Sequence, residues 1–291
     1  MESSKGNITI PTYFNWSKLQ IVPKHQIHYQ MWGEDHVNAV VCLHGSLRNS
    51  HDFDYIARVL SRFFKVVAFD VVGRGHSQWF EKKQCYNYHS YVQDSIRLLS
   101  LLKLKKVHWI GTSMGGIIGM VIAALFPSKI KSLTLNDIGI SIAASDVKKM
   151  RKYAALDPSF NSFEDVISYC KMAYSGYGIK EEQHWEHCAQ HTVYRDENNQ
   201  YKLLYDPCIV KDYVTGTGSN ISLRRWWRKV ICPVHLIRGS DSAMVTEAIE
   251  LRMLQDRPDM KTYCVQGAGH APAFISGELI DTVLSWIISV S

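Results

Sequence analysis

Hydrophobic residues in this chain follow two rhythms. Short continuous apolar runs, Ala39 to Leu43 (AVVCL), Lys65 to Phe69 (KVVAF), Val107 to Ile110, Ser132 to Leu135, Val234 to Ile237 and Thr262 to Val265, predict strands, the first two apolar enough to be buried on both faces. Gln26 to Trp32 reads as a further extended run. Between them apolar positions recur at helical spacing. Phe53 to Phe63 carries Ile56, Val59, Leu60 and Phe63 on one side, and Tyr88 to Leu102 carries Tyr91, Ser95, Leu98, Leu99 and Leu102. Helices are also expected after Val107 to Ile110, ending at Pro127, and at Glu247 to Leu254 and Leu279 to Ile288. Strands alternating with helices imply a mostly parallel sheet covered on both faces. Residues 1 to 20 show no clear period and are read as an approach segment. From about Ser141 to Lys229 the rhythm breaks: charge and aromatic residues rise, and Ala144 to Tyr153, Phe163 to Ala173 and Glu181 to Gln190 are helical without a buried strand run. This stretch, residues 141–229, is expected to be an inserted helical lid on a core made of residues 1–140 and 230–291.

Composition alters this picture little. The 291 residues can bury a sizeable core, and 46% hydrophobic with 21% charged residues is ordinary for a soluble globular chain. No apolar stretch reaches the roughly 18 residues that span a bilayer, and the first residues lack a secretory pattern, so a cytoplasmic location without stable membrane insertion is expected. Seven cysteines are scattered singly and read as reduced thiols. The formal charge of +6 gathers partly at Lys148 to Lys152 and Arg224 to Lys229. Such runs are usually solvated faces, so no nucleic-acid partner is inferred, and the second is read as a helix-end hinge returning the lid to the core.

Candidate chemistry centres on Gly111-Thr112-Ser113-Met114-Gly115, which joins a predicted strand to a predicted helix. Small residues two positions either side of a serine permit the sharp turn of a nucleophile elbow, with the helix N-terminus favouring negative charge beside it. Downstream, His270 sits in the Gly267-Ala268-Gly269 loop after the last strand, placed to act as general base for Ser113. His44-Gly45-Ser46 follows an earlier strand and can turn a backbone N–H toward the elbow. The amides of Ser46 and Met114 are the candidate oxyanion donors, while the His44 side chain is read as structural.

With these residues in place the chain resembles the α/β-hydrolase family, in particular its capped esterase and lactonase-like members. His44-Gly45, the Asp70-Val71-Val72-Gly73-Arg74-Gly75-His76-Ser77 turn, Gly111 to Gly116 and Gly269-His270 carry the resemblance across nearly the whole chain. It implies a central sheet of about eight strands, a cap between strands six and eight, and acyl transfer through a serine ester. The family usually places its acid after strand seven, but the ungapped position there is Ser242, with Asp241 one residue early. Other members take the acid from the end of strand six, where this chain has Asp137. Both stay open, with Asp137 preferred because Asp241 needs a shorter loop.

The expected function is a serine hydrolase of a small to medium, largely apolar carboxylic ester or lactone. It needs no metal or organic cofactor, no cluster with metal-ligand spacing stands out, and a small-molecule substrate is the implied partner. The same parts could instead serve a carbon–carbon bond hydrolase, a prolyl aminopeptidase, or a non-catalytic ligand receptor. Lid aromatics such as Tyr153, Tyr169, Tyr174, Tyr177 and Trp185 should pack mostly against one another, a minority lining an apolar pocket.

Overall fold

In the computed structural model, residues 2–81, 85–148, 157–209 and 220–291 are described. The continuous apolar runs become the middle of an eight-stranded sheet. In chain order its strands are β1 (Ser4–Ile10), β2 (His25–Trp32), β3 (Ala39–Leu43), β4 (Lys65–Phe69), β5 (Val107–Thr112), β6 (Ile130–Asn136), β7 (Val234–Gly239) and β8 (Lys261–Val265). In space they lie β1-β2-β4-β3-β5-β6-β7-β8. Only β2 runs against its neighbours, pairing antiparallel with both β1 and β4, and every later pair is parallel.

Alternation along each strand feeds two separate cores. Val41 and Leu43 of β3 and Val67 and Phe69 of β4 face one, with apolar residues of α2 (Tyr88–Leu101), α3 (Met114–Leu125) and α7 (Glu247–Asp256). Val40, Cys42, Val66 and Ala68 face the other, with α1 (Asp54–Leu60) and α8 (Gly277–Ser289). A residue-by-residue switch of face explains why these strands read as unbroken hydrophobic runs.

Two stretches differ from the sequence reading. The supposed approach segment supplies β1, whose register with β2 runs from Ser4 opposite Met31 to Ile10 opposite His25. Being an edge strand with a largely exposed face, it carries little hydrophobic signal until Ile10 closes over the core. Between β6 and β7, α4 (Phe163–Ala173) and α5 (Glu182–Gln190) form near the expected positions. A small three-stranded antiparallel sheet, Ser159–Phe160, Tyr201–Leu203 and Val193–Arg195, joins them, from strands too short for periodicity to announce. Only residues 144–148 of the helix expected at Ala144 to Tyr153 are described, and they are helical. Tyr153 and residues 149–152 of the first basic cluster lie outside the described residues.

The second basic cluster has a structural place. Trp227 of α6 (Arg224–Trp227) is fully buried, and Arg224 pairs with Asp256 of α7 at 2.9 Å. The run thus fastens the chain to the sheet's helical cover just before β7. The aromatic residues 160, 169, 174 and 177 pack in succession, with ring centroids 5.1 to 6.5 Å apart.

Candidate active site

Ser113 stands at the tip of the turn from β5 into α3 with φ +48° and ψ −109°, a backbone conformation that L-residues rarely adopt. Crowding explains the glycines around it. A Cβ at Gly111 would strike the backbone of Gly115 and Gly116, and one at Gly115 would strike the carbonyl of Leu43 on β3. The strained tip is tied down from outside: the Ser113 N–H donates to the Asn136 carbonyl at 2.9 Å, and the Trp109 indole N–H donates to the Gly115 carbonyl at 3.0 Å.

Facing the serine is His270. Its Nε2 lies 3.2 Å from Ser113 Oγ and its Nδ1 lies 2.6 Å from Asp137 Oδ2, the partners assigning Nδ1–H as donor to the carboxylate and Nε2 as acceptor from the hydroxyl. The ring is about one-third exposed, whereas Asp137 is fully buried just past β6. Asp137 and Ala271 also have positive φ, +53° and +63°, so left-handed conformations recur at three points of one constellation.

Of the two carboxylates left open by the sequence, Asp137 is the one that meets His270. Asp241 is exposed on the turn after β7, where the Ser240 hydroxyl caps its Oδ1 at 2.8 Å and its own N–H donates to Ala268. It takes no part in the constellation, because the tight turn after Gly239 points residue 241 outward and residue 242 inward. Ser242, which the sequence reading did not count as a site residue, donates its Oγ–H to Asp137 Oδ2 at 2.7 Å while accepting the N–H groups of Met244 and Val245, both at 3.1 Å. The signal was available: Ser242 occupies the position where an acid after strand seven is usual.

Asn136 couples the pieces. Besides its carbonyl bond to Ser113, its side-chain amide donates to Thr112 Oγ1 at 3.1 Å and to the Pro272 carbonyl at 2.9 Å, joining β5, β6 and the His270 loop. From above, the Ser175–Tyr177 turn reaches the same loop, accepting the Gly269 N–H at Gly176 O, 2.7 Å, and the Ala273 N–H at Tyr177 O, 2.9 Å.

The loop 44–46 runs beside the serine, a Cβ at Gly45 falling 3.9 Å from Ser113 Cβ. His44 is structural in detail: Val71 N–H donates to Nε2 at 2.9 Å and Nδ1 donates to the Gly45 carbonyl at 2.6 Å. Burial pushes its pKa down, in keeping with this neutral tautomer. Fully buried Arg74 braces both oxyanion candidates, its Nε donating to Ser46 O at 2.9 Å and its Nη2 lying 4.0 Å from Met114 Sδ. Asp70 anchors the turn that carries Arg74. Burial alone would raise its carboxyl, but the hydrogen bonds from His28 and from the Ser50 N–H outweigh it and hold the pKa at about 2.

Beside the constellation lies a cleft lined in part by Thr112 and Ala271, the chain neighbours of Ser113 and His270, and by Arg48, Tyr55, Tyr177 and Phe274. None of the seven cysteines forms a disulfide, and none of the described helices is long and apolar enough to cross a membrane.

Comparison with known proteins agrees with this architecture. A 3-hydroxybutyrate-oligomer hydrolase of Cupriavidus necator is 31% identical over 260 residues, covering 86% of this chain and 89% of that protein. A solved structure from Rickettsia typhi superposes with a TM-score of 0.94 at 33% identity, over 99% of this chain and 100% of that one. An α/β hydrolase from Novosphingobium aromaticivorans, 21% identical, superposes with a TM-score of 0.86 over 100% and 99% of the two chains and shares the fold. The sequence profile of the α/β hydrolase fold matches residues 38–276, and the chain is a hydrolase belonging to that family.

Proposed function

We propose that the protein is a serine hydrolase of carboxylic esters, working through an acyl-enzyme. The observation that carries this reading is the continuous chain of contacts Ser113 Oγ, His270 Nε2, His270 Nδ1, Asp137 Oδ2, at 3.2 and 2.6 Å, with the serine held in a strained, helix-capping turn. As Ser113 Oγ attacks the carbonyl carbon, His270 Nε2 takes the hydroxyl proton and Asp137 stabilises the imidazolium. Negative charge gathers on the carbonyl oxygen, where the amides of Ser46 and Met114 are the proposed donors and the start of α3 adds its dipole. The imidazolium returns the proton to the departing alcohol, and water, deprotonated by the same nitrogen, then frees the acid. Residues 141–229 are proposed as the lid, since their Ser175–Tyr177 turn lies on the His270 loop.

For substrate, the relative that hydrolyses 3-hydroxybutyrate oligomers directs the proposal to short linear hydroxyacid esters. The cleft beside the constellation supports it, offering Tyr55, Tyr177, Ile179 and Phe274 as walls to a short acyl chain. The test is covalent labelling with a fluorophosphonate alongside turnover of a p-nitrophenyl ester and of a 3-hydroxybutyrate dimer. Wild type is expected to label and to turn over both esters, and Ser113→Ala to lose the label and about a millionfold in kcat. Labelling at another residue, or retained turnover in Ser113→Ala, would overturn the reading.

A further inference from the structure

Where His51 and His187 line the cleft, three imidazoles and a carboxylate converge from two distant stretches of chain. His51 belongs to the 3-10 turn Ser50–Phe53 and Asp54 opens α1, whereas His187 lies in α5 and His191 is its C-cap. His51 Nδ1 is 2.8 Å from Asp54 Oδ2, and His187 Nε2 is 3.5 Å from the same oxygen. The His51 and His191 rings stack at 3.6 Å with 9° between planes, and His187 stands edge-on to His191 at 4.7 Å. Donor atoms of His51, Asp54 and His191 all lie within 4.8 Å of one another.

Two features separate this group from an ordinary buried histidine pair. The second carboxylate oxygen, Asp54 Oδ1, is buried without any hydrogen-bond partner, in a side chain only 10% exposed. An orphaned buried carboxylate oxygen is destabilising when nothing answers it. The two segments are also clamped to one another independently of the cluster, by Asn49 Nδ2 to His191 O and Arg48 Nη1 to Thr192 Oγ1, each at 2.5 Å. The two segments are therefore held together by contacts outside the cluster, while within it His51 Nδ1 and His187 Nε2 meet the same Asp54 oxygen.

We infer that His51, Asp54, His187 and His191 form a binding site for a divalent transition-metal cation, with Zn²⁺ the ion best matched. Three imidazoles and one carboxylate are a tetrahedral zinc donor set, with metal–ligand distances of about 2.0–2.2 Å. Imidazole ligation disfavours Mg²⁺ and Ca²⁺, which take oxygen. Ligation requires the stacked His51 and His191 rings to rotate out of parallel so that both aim a nitrogen at the ion. The bound ion links the start of α1 to the end of α5 at the cleft wall, which buried His51 and partly exposed His187 both line. Its role is to fasten residues 141–229 to the core. The sequence spacing did not announce this site, because its two halves lie far apart in the chain.

The test uses the untagged full-length protein, stripped with EDTA and titrated with Zn²⁺ by calorimetry and with Co²⁺ by visible absorption. One equivalent of Zn²⁺ is expected to bind and to raise Tm, and Co²⁺ to give tetrahedral d–d bands that Zn²⁺ bleaches. His191→Gln and His187→Gln are expected to weaken binding by at least about tenfold. His184→Gln, whose ring packs on Tyr55 at 5.0 Å outside the cluster, should bind as wild type. Circular dichroism establishes which variants fold, and if His191→Gln does not, the partly exposed His187 carries the comparison. Absence of a stoichiometric site in wild type, or equal affinity in the folded ligand variants and wild type, would overturn the inference.

Discussion

Asp137 receives four hydrogen bonds: from His270 Nδ1 at 2.6 Å, Ser242 Oγ at 2.7 Å, Ala271 N at 3.2 Å and Gly239 N at 3.4 Å. Such saturation fixes the carboxylate in the one orientation that also fixes the imidazole, which is the work the proposed mechanism asks of its acid. Asp241 shares no part of it, its side chain being engaged by Ser240 at the surface. Replacing each aspartate by asparagine should therefore separate them. Asp137→Asn is expected to lower kcat on a p-nitrophenyl ester about ten-thousandfold, by forcing the wrong imidazole tautomer, while Asp241→Asn keeps the wild-type rate.

At the scale of the elements, the turn from β5 into α3 depends on what lies across it. Gly115 packs its α-carbon against the Leu43 carbonyl of β3, so a methyl group there can be admitted only if α3 lifts from the sheet. Gly115→Ala is expected to cost about 3 kcal/mol in urea unfolding, at the upper end for overpacking, and to lower kcat in whatever folds. Local crowding of this kind is written in the sequence around the elbow, which is why Ser113 was legible from five residues. The inner strands were legible for a related reason, since both faces of β3 and β4 are buried and demand apolar residues throughout. β1 was not, because its polar residues answer to solvent and only its pairing with β2 makes it a strand. Between the two aspartates local pattern gave only a preference for Asp137, from loop length, and left both open. The answer depends on β6 and β7 lying side by side, so that a turn after one leaves its neighbour's carboxylate nearest the histidine.

For the molecule as a whole, buried neutral histidines make folding sensitive to acid. Burial pushes His108 and His235 down to about 4, with Lys131 adding to the effect on His108. The unfolded chain, with these histidines near 6.5, binds more protons between pH 6.5 and 4, so their contribution to stability is lost as pH drops through that window and changes no further below it. Each histidine contributes up to about 3 kcal/mol to that loss. His235 packs its ring on Trp286 at 5.0 Å and leaves Nδ1 without a partner, so phenylalanine can take its place. His235→Phe is expected to flatten the decline of Tm between pH 6.5 and 4 relative to wild type, and an unchanged slope would assign the sensitivity elsewhere. Below that window Asp70, held at about 2 against an ordinary 3.8, adds a further loss as it protonates. The sheet also leaves room for a rearrangement of its own chemistry. Because Ser242 already touches Asp137 from the end of β7, a carboxylate grown at position 242 would reach the territory of the one lost from β6. Asp137→Asn combined with Ser242→Asp is expected to recover at least about tenfold of the kcat lost in Asp137→Asn alone. In that sense the proposed acid is transplantable: neighbouring strands hold two berths for a single charge, either of which leaves the fold, Ser113 and His270 where they are.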